Sequence, residues 1–211
     1  MKLHSLASAL VVLGLIVPVR AADAPALPSP WQHQDIGAVT LAGSASAAGD
    51  VFTLKGTLDI WGMSDGCHFA WQTLKGDGSI VARVLSVELS GHAKGALAIR
   101  ESVDAGSRHA TMCVTPTDGS QFLVRAETGA ITTVQKTGLN KGTMPYWLKL
   151  VRAGDQLTGY ESTDGKEWTQ TGTTMLKLPE SVLIGLTASS HLKDTLCTVP
   201  FDHVTVTPGA K

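Results

Sequence analysis

The sequence predicts an all-β fold, a two-sheet antiparallel β-sandwich, on three observations. From Trp31 onward almost no apolar run has helical spacing. Short segments rich in Val, Ile, Thr and aromatic residues recur instead. Gly, Asp, Asn or Pro separates them about every ten residues, the turn density that a sandwich needs.

The expected strands follow in order. "VFTLKGTLDIW" (51–61) comes first, then "CHFAWQTL" (67–74), whose alternation sends Phe69 and Trp71 to one face and His68, Ala70 and Gln72 to the other. Gly76-Asp77-Gly78 tolerates positive φ and is expected to close a hairpin onto "SIVARVLSVEL" (79–89). In "ALAIRES" (96–102), Ala98 and Arg100 oppose Ile99 and Glu101, so a charge falls on a partly enclosed face, where Arg100 needs a carboxylate partner or a ligand. "HATMCVTP" (109–116) turns through Thr117-Asp118-Gly119 into "SQFLVRAET" (120–128). "YWLKLVRAG" (146–154) turns through Ala153-Gly154-Asp155 into "QLTGYEST" (156–163), and "EWTQTG", "VLIGLTASS" and "FDHVTVTP" complete the set. The one helical candidate, "LPESV" (178–182), is too short to alter the class.

"STDGKEW" (162–168) looks like a shortened Asp-box, a motif of sugar-processing proteins, and invites an enzymatic reading. Its local physics is structural, with Ser162 a member of the turn: Asp164 bonds backbone donors across it, Gly165 takes the left-handed conformation, and Trp168 covers the hairpin with an apolar ring. A catalytic carboxylate would need a second acid at a set distance, which a tight turn does not supply.

The ends define compartment and domain. Lys2, the apolar run Leu6–Val19 and Ala21, Ala22 and Ala24 form a secretory signal peptide, placed at 1–21, which directs the chain to the periplasm or outside. The run is shorter than the roughly 20 residues of a membrane span, and no later segment is long enough. No cysteine near the cleavage site offers a lipid anchor. Residues 22–30, "ADAPALPSP", read as an extended, unpacked tether before a single domain at 31–208. Removing residues 1–21 takes away Lys2 and Arg20 and no acid, leaving 15 basic against 18 acidic residues, a net charge of −3. That balance offers no basic surface for nucleic acid. Of Cys67, Cys113 and Cys197, Cys113 reads as a small buried hydrophobe, and the other two sit beside loops and form the pair expected if a bridge exists.

Catalytic signatures are missing. No G-x-S-x-G occurs, and Glu88, Glu101, Glu127 and Glu161 each stand without an acid two residues away, unlike the E-x-D-x-x-E pattern of jelly-roll glucanases. His33, His68, His92, His109, His191 and His203 occur singly, with no H-x-H or H-E-x-x-H, so no metal or other cofactor is expected. Asp59 and Asp65 could offer oxygens to calcium, but ordinary turn aspartates are the favoured reading. Sugar binding needs a flat ring and a few fixed polar groups. Trp71 and Trp147 are expected in the core, leaving Trp61, Tyr146 and Tyr160 as the stacking candidates.

The succession "LDIWGMSDGCHFAWQTLKGDGSIVARVLSVE", "KGALAIRES", "AGSRHATMCVTP", "YWLKLVRAGDQLTGYESTDGKEWTQTG" and "VLIGLTASSHLKDTLCTVPFDHVTV" resembles a bacterial family of concanavalin A-like domains, over residues 31–207. These are similar to the C-terminal module of some β-xylosidases and to laminin-G-like jelly rolls. The resemblance implies a jelly roll whose first strand, near "WQHQDIG", lies beside the last, "FDHVTVT". It also implies a module that accompanies glycoside hydrolases and binds carbohydrate, with no agreed catalytic residues to carry over. The chain departs from the family at Cys67 and Cys197, which favours their pairing.

The expected function is therefore a secreted, non-catalytic, lectin-like module that binds a polysaccharide or glycan through Trp61, His68, Gln72, Arg100, Glu101, Tyr146 and Tyr160. An exported protein-docking module is the alternative. A polysaccharide hydrolase or lyase comes third.

Overall fold

The computed structural model describes residues 25–89 and 91–209. Fourteen strands form two seven-stranded antiparallel sheets, and the described residues contain no helix. The strands are β1 (Gln32–Ile36), β2 (Ser44–Ala48), β3 (Val51–Gly56), β4 (Cys67–Lys75), β5 (Gly78–Val84), β6 (Lys94–Arg100) and β7 (His109–Thr115). They continue with β8 (Gly119–Arg125), β9 (Thr133–Thr137), β10 (Tyr146–Ala153), β11 (Gln156–Ser162), β12 (Thr169–Met175), β13 (Ser181–Ser189) and β14 (Cys197–Pro208). The first sheet runs β1-β4-β13-β6-β7-β8-β9 and the second β12-β11-β10-β5-β14-β3-β2.

Alternation along each strand builds the core between the sheets. Ala70, Leu97, Ile99, Met112, Phe122, Ile184 and Leu186 of the first sheet meet Leu54, Ile80, Val84, Leu148, Leu150, Val199 and Phe201 of the second in one buried cluster. Phe122 needs the glycines opposite it: a Cβ on Gly159 or Gly172 would stand 2.7 Å from its ring.

The outer face of the first sheet is also buried. Ile36, Cys67, Phe69, Trp71 and Ala98 form a second apolar cluster, completed by Ile60 from the loop at 57–66, and Ala96, Cys113 and Leu123 form a third. Phe69 and Trp71 therefore lie beneath loops, whereas Ala70 faces the other sheet.

Several expectations need correction. Gly76-Asp77-Gly78 closes no hairpin, because β4 and β5 belong to different sheets and the turn carries the chain between them. The strand near "WQHQDIG" pairs with β4, in register Asp35↔His68, and β14 instead lies between β3 and β5. The described part of the proline-rich stretch is packed: Leu27 contacts the core and Ala47 N donates to Pro25 O. "LPESV" is not helical and runs into β13. Trp147 is half-buried on the outer face of the second sheet, beside Arg83 and His203. Cys67, Cys113 and Cys197 are all free and buried, so the expected bridge is absent. Cys67 belongs to the outer cluster of the first sheet and Cys197 to the core between the sheets, on opposite sides of a layer. The signal peptide and Ala22–Asp23–Ala24 lie outside the described residues.

Candidate functional site

The loop at 57–66 crosses the outer face of the first sheet and is fastened along its length. Leu58 exchanges backbone hydrogen bonds with the loop after β13, donating to Leu192 O at 2.8 Å and accepting from His191 N at 2.6 Å. Thr132 N donates to Gly62 O at 2.8 Å, and Asp65 N to Ala105 O at 2.8 Å. Ile60 anchors it apolarly and Asp65 ionically.

The Asp65 carboxylate accepts from Arg125 through Nη2 at 2.6 Å and Nη1 at 2.8 Å, and from Arg100 Nη1 at 2.6 Å. The remaining guanidinium donors go to backbone carbonyls of Ser102, Asp104, Ala105, Ser107, Ala130 and Gly62. Arg100 is wholly buried and spent, so it presents nothing to a ligand, against the sequence expectation. Burial works to raise the Asp65 carboxyl, but the Arg125 and Arg100 guanidinium groups outweigh it and hold the group below its usual range. Burial drives the neighbouring His109 imidazole down to about 3, so it stands neutral between two guanidinium groups.

Beyond the Ile60–Asp65 segment the outer face opens into a cavity of about 210 Å³, lined by Asp59, Trp61, His92, Lys94, Asp118, Gln121, Val134 and His191. The strand order explains the gathering: β13, β6, β7 and β8 are neighbours, so the loop after β13, the entry to β6 and the β7–β8 turn share one end of the sheet. Lys94 Nζ donates to Asp59 Oδ1 at 2.5 Å, and His191 Nδ1 to Asp59 Oδ2 at 2.7 Å. His92 Nδ1 donates to Asp118 Oδ2 at 2.6 Å, and the two imidazole rings stand edge to face at 5.1 Å. Trp61 is 45% exposed at the rim. A more open depression of about 540 Å³ adjoins the first cavity and shares Asp59, Trp61 and His191 with it.

Of the sequence candidates only Trp61 lines this cavity. His68 is buried, donating from Nδ1 to Asp35 at 2.8 Å and meeting His33 Nδ1 at 2.9 Å through Nε2, and burial keeps its pKa low. Gln72 is half-buried on the same face of β4 as Ala70. Glu101 is paired with Arg108, whose hydrogen bonds hold its pKa down. Tyr160 lies half-buried under the Lys149 ammonium, which also covers Trp168. Tyr146 is buried, and its hydroxyl donates to Glu161 at 3.2 Å beside a third cavity of about 650 Å³. Burial would raise the Glu161 carboxyl, but Ser120, the Leu139 and Asn140 amides and Tyr146 hold it below the usual range.

Asp59 and Asp65 face protein cations, not one another, and among the described residues no three His, Cys, Asp or Glu side chains converge as metal ligands would. His92, Lys94, Asp118, Gln121, Val134 and His191 carry no local signal, since their partners lie up to 132 residues away. The "STDGKEW" turn behaves as expected of a hairpin: Ser162 Oγ accepts from Asp164 N and Gly165 N, Asp164 accepts from Lys166 N and Glu167 N, and β11 pairs with β12.

No protein-family profile and no curated protein sequence matches the chain. Solved structures share its fold at low identity. A functionally unknown protein from Saccharomyces cerevisiae is 16% identical with a TM-score of 0.62, over 85% of this chain and 98% of that one. The carbohydrate-binding module CBM66 from Bacillus subtilis is 18% identical with a TM-score of 0.56, over 84% and 94%. A Bacillus licheniformis β-glucanase is 12% identical with a TM-score of 0.54, over 85% and 92%. The chain has the concanavalin A-like jelly-roll fold.

Proposed function

We propose that the protein is an exported, non-catalytic module, secreted or periplasmic, that binds a glycan in the cavity beside Trp61. The observation that carries this reading is the exposed Trp61 ring at the rim of a cavity in which Asp59, Lys94, His191, His92 and Asp118 are fixed by pairing, with Gln121 and Val134 completing the lining. An exposed indole stacks on the apolar face of a sugar ring, and Asp59, Asp118, Lys94 and Gln121 supply acceptors and donors for hydroxyls. The fold is one that a carbohydrate-binding module also uses, which agrees with the reading.

Binding without cleavage is favoured by the acids. A glycosidase raises the pKa of one carboxyl so that it can donate a proton. The three buried carboxyls with displaced pKa, Asp65, Glu161 and Asp202, are all displaced downward. In the cavity, Asp59 is held by Lys94 and His191. The second reading, docking of another exported protein, draws on Met63 and Ile131, which are 62% and 61% exposed on loops joined through Gly62 and Thr132.

The test is a glycan array and polysaccharide pull-down with the chain lacking residues 1–21, alongside Trp61→Ala and Gln121→Ala. Binding lost in both variants, with unchanged unfolding transitions, supports the glycan reading. Absence of binding across plant, microbial and host glycans overturns it in favour of docking.

A further inference from the structure

We infer that the outer face of the second sheet is a separate binding face, independent of the Trp61 cavity, and that it takes an acidic polysaccharide, one whose sugar rings carry carboxylate or sulfate groups. The two sheets differ on their outer sides. Apolar clusters bury outward residues of the first, among them Phe69, Ala96 and Leu123. On the second, the outward residues of β10, Trp147, Lys149 and Val151, stay half-buried, while Leu148 and Leu150 between them enter the core. Strand register extends this face on both sides of β10: Tyr160 of β11 stands opposite Lys149, and Arg83 of β5 stands opposite Trp147, with Asp202 of β14 beyond it.

Lys149 is the centre of the face. Its Nζ lies 4.3 Å from the centroid of the Trp168 ring and 4.7 Å from that of Tyr160, so two aromatic rings hold the ammonium in place. Every other buried or half-buried Lys or Arg among the described residues has an oxygen partner. Arg83 holds Asp202, Lys94 holds Asp59, Arg100 and Arg125 share Asp65, Arg108 holds Glu101, and Arg152 donates to backbone carbonyls. Lys149 alone has rings and neither an ion pair nor a side-chain hydrogen bond. Burial works against its charge and holds its pKa below the usual lysine range, so an arriving anion would restore what burial takes away. A depression of about 380 Å³ opens beside it, lined also by Val151, Ser79 and Thr207, and by Asp77, whose carboxylate accepts from Gly154 N at 2.6 Å. An acidic sugar meets both halves of this arrangement: its anionic group pairs with the fixed ammonium, and the apolar side of its ring lies against the neighbouring aromatic surface of Trp168, Tyr160 and Trp147.

The experiment is isothermal titration of the chain lacking residues 1–21 with polygalacturonate, which carries carboxylates, and dextran sulfate, which carries sulfates, with neutral dextran and polyglutamate for comparison. At least one of the two acidic polysaccharides should bind, the one that does identifying the anionic group, and both comparison polymers should bind about tenfold more weakly or not at all. Lys149→Met should lower the affinity about tenfold or more, and Lys149→Arg, which keeps the charge, should hold it within about threefold of the parent. Trp61→Ala, in the other cavity, and Lys75→Met, which removes an exposed lysine from β4 of the first sheet, should leave it unchanged. The inference is overturned if neither acidic polysaccharide binds, if polyglutamate binds as tightly, or if folded K149M binds like the parent. Equal losses in K149M and K75M would mean diffuse attraction to charge and overturn it too, and a loss in W61A would move the ligand to the Trp61 cavity.

Discussion

Asp65 and Arg125 meet through two parallel hydrogen bonds, Nη2 to Oδ1 at 2.6 Å and Nη1 to Oδ2 at 2.8 Å, with both side chains fully buried. This pair, shared with Arg100, fastens the crossing loop to the outer face of the first sheet and so defines the cavity beside Trp61.

Substituting Asp65→Asn leaves two buried guanidinium groups without their counter-charge. Removing one partner of a buried ion pair costs about 3–5 kcal/mol, so urea unfolding of D65N should show a loss of that size. A loss below about 1 kcal/mol would mean that the backbone carbonyls alone satisfy the arginines.

His109 makes stability depend on pH. Its pKa falls from 6.5 to about 3 on folding, chiefly through burial. Between those values the unfolded chain binds a proton that the folded one does not, so stability is complete above 6.5 and declines as pH falls toward 3. One such group contributes a slope of up to about 1.4 kcal/mol per pH unit. Asp65, with its pKa held below 3.8, adds stability that is present above 3.8 and lost only further into acid. Urea titrations at successive pH values should therefore show a decline starting near 6.5 that is flattened in His109→Gln.

The strand pattern was readable where burial forces alternation, as in "CHFAWQTL" and "YWLKLVRA", but the pairing was not. Nothing local in Gly76-Asp77-Gly78 distinguishes a hairpin from a crossing between sheets; that depends on where β13 inserts. β2 and β9 escaped notice because edge strands bury little: "TVQKT" is exposed throughout and "SASAA" carries no large apolar side chain. The need of Arg100 for a carboxylate followed from alternation, yet its partner, Asp65, lies 35 residues earlier in a loop. Trp61 was visible as a loop aromatic. Its polar neighbours were not, because Asp59 and His191 meet across 132 residues and Asp118 sat inside an ordinary turn sequence.

The cysteines give a chemical check on the corrected pairing. All three are free and buried, and burial raises each thiol to about 12. Thiolate is the reactive form, so native protein should resist alkylation at neutral pH and titrate three thiols once unfolded. A native mass two hydrogens lighter than the reduced chain, or a melting temperature lowered by reductant, would restore a disulfide.

Trp61→Ala separates binding from folding. The ring is 45% exposed, so its removal should change stability by no more than about 0.5 kcal/mol. Loss of an aromatic stacking partner costs about 0.5–1.5 kcal/mol beyond the area it covers, which by itself is a drop of about two- to tenfold in affinity for whichever glycan binds. Calorimetry on folded W61A reads this directly; unchanged affinity would place the ligand elsewhere.

The Asp-box-like turn should show the opposite separation. Gly165 has φ +74°, and a Cβ there would stand 2.7 Å from the Trp147 ring. Gly165→Ala therefore combines left-handed strain with displacement of an indole that meets His203 at a tilt and lies under Arg83, and should cost about 1–3 kcal/mol. The turn joins β11 to β12 in the second sheet, whereas Trp61 and its cavity belong to the first. Affinity for the glycan should then survive in G165A wherever the variant remains folded. A loss of binding at full folding, measured by calorimetry beside circular dichroism, would give this motif a part in recognition that its hydrogen bonds do not suggest.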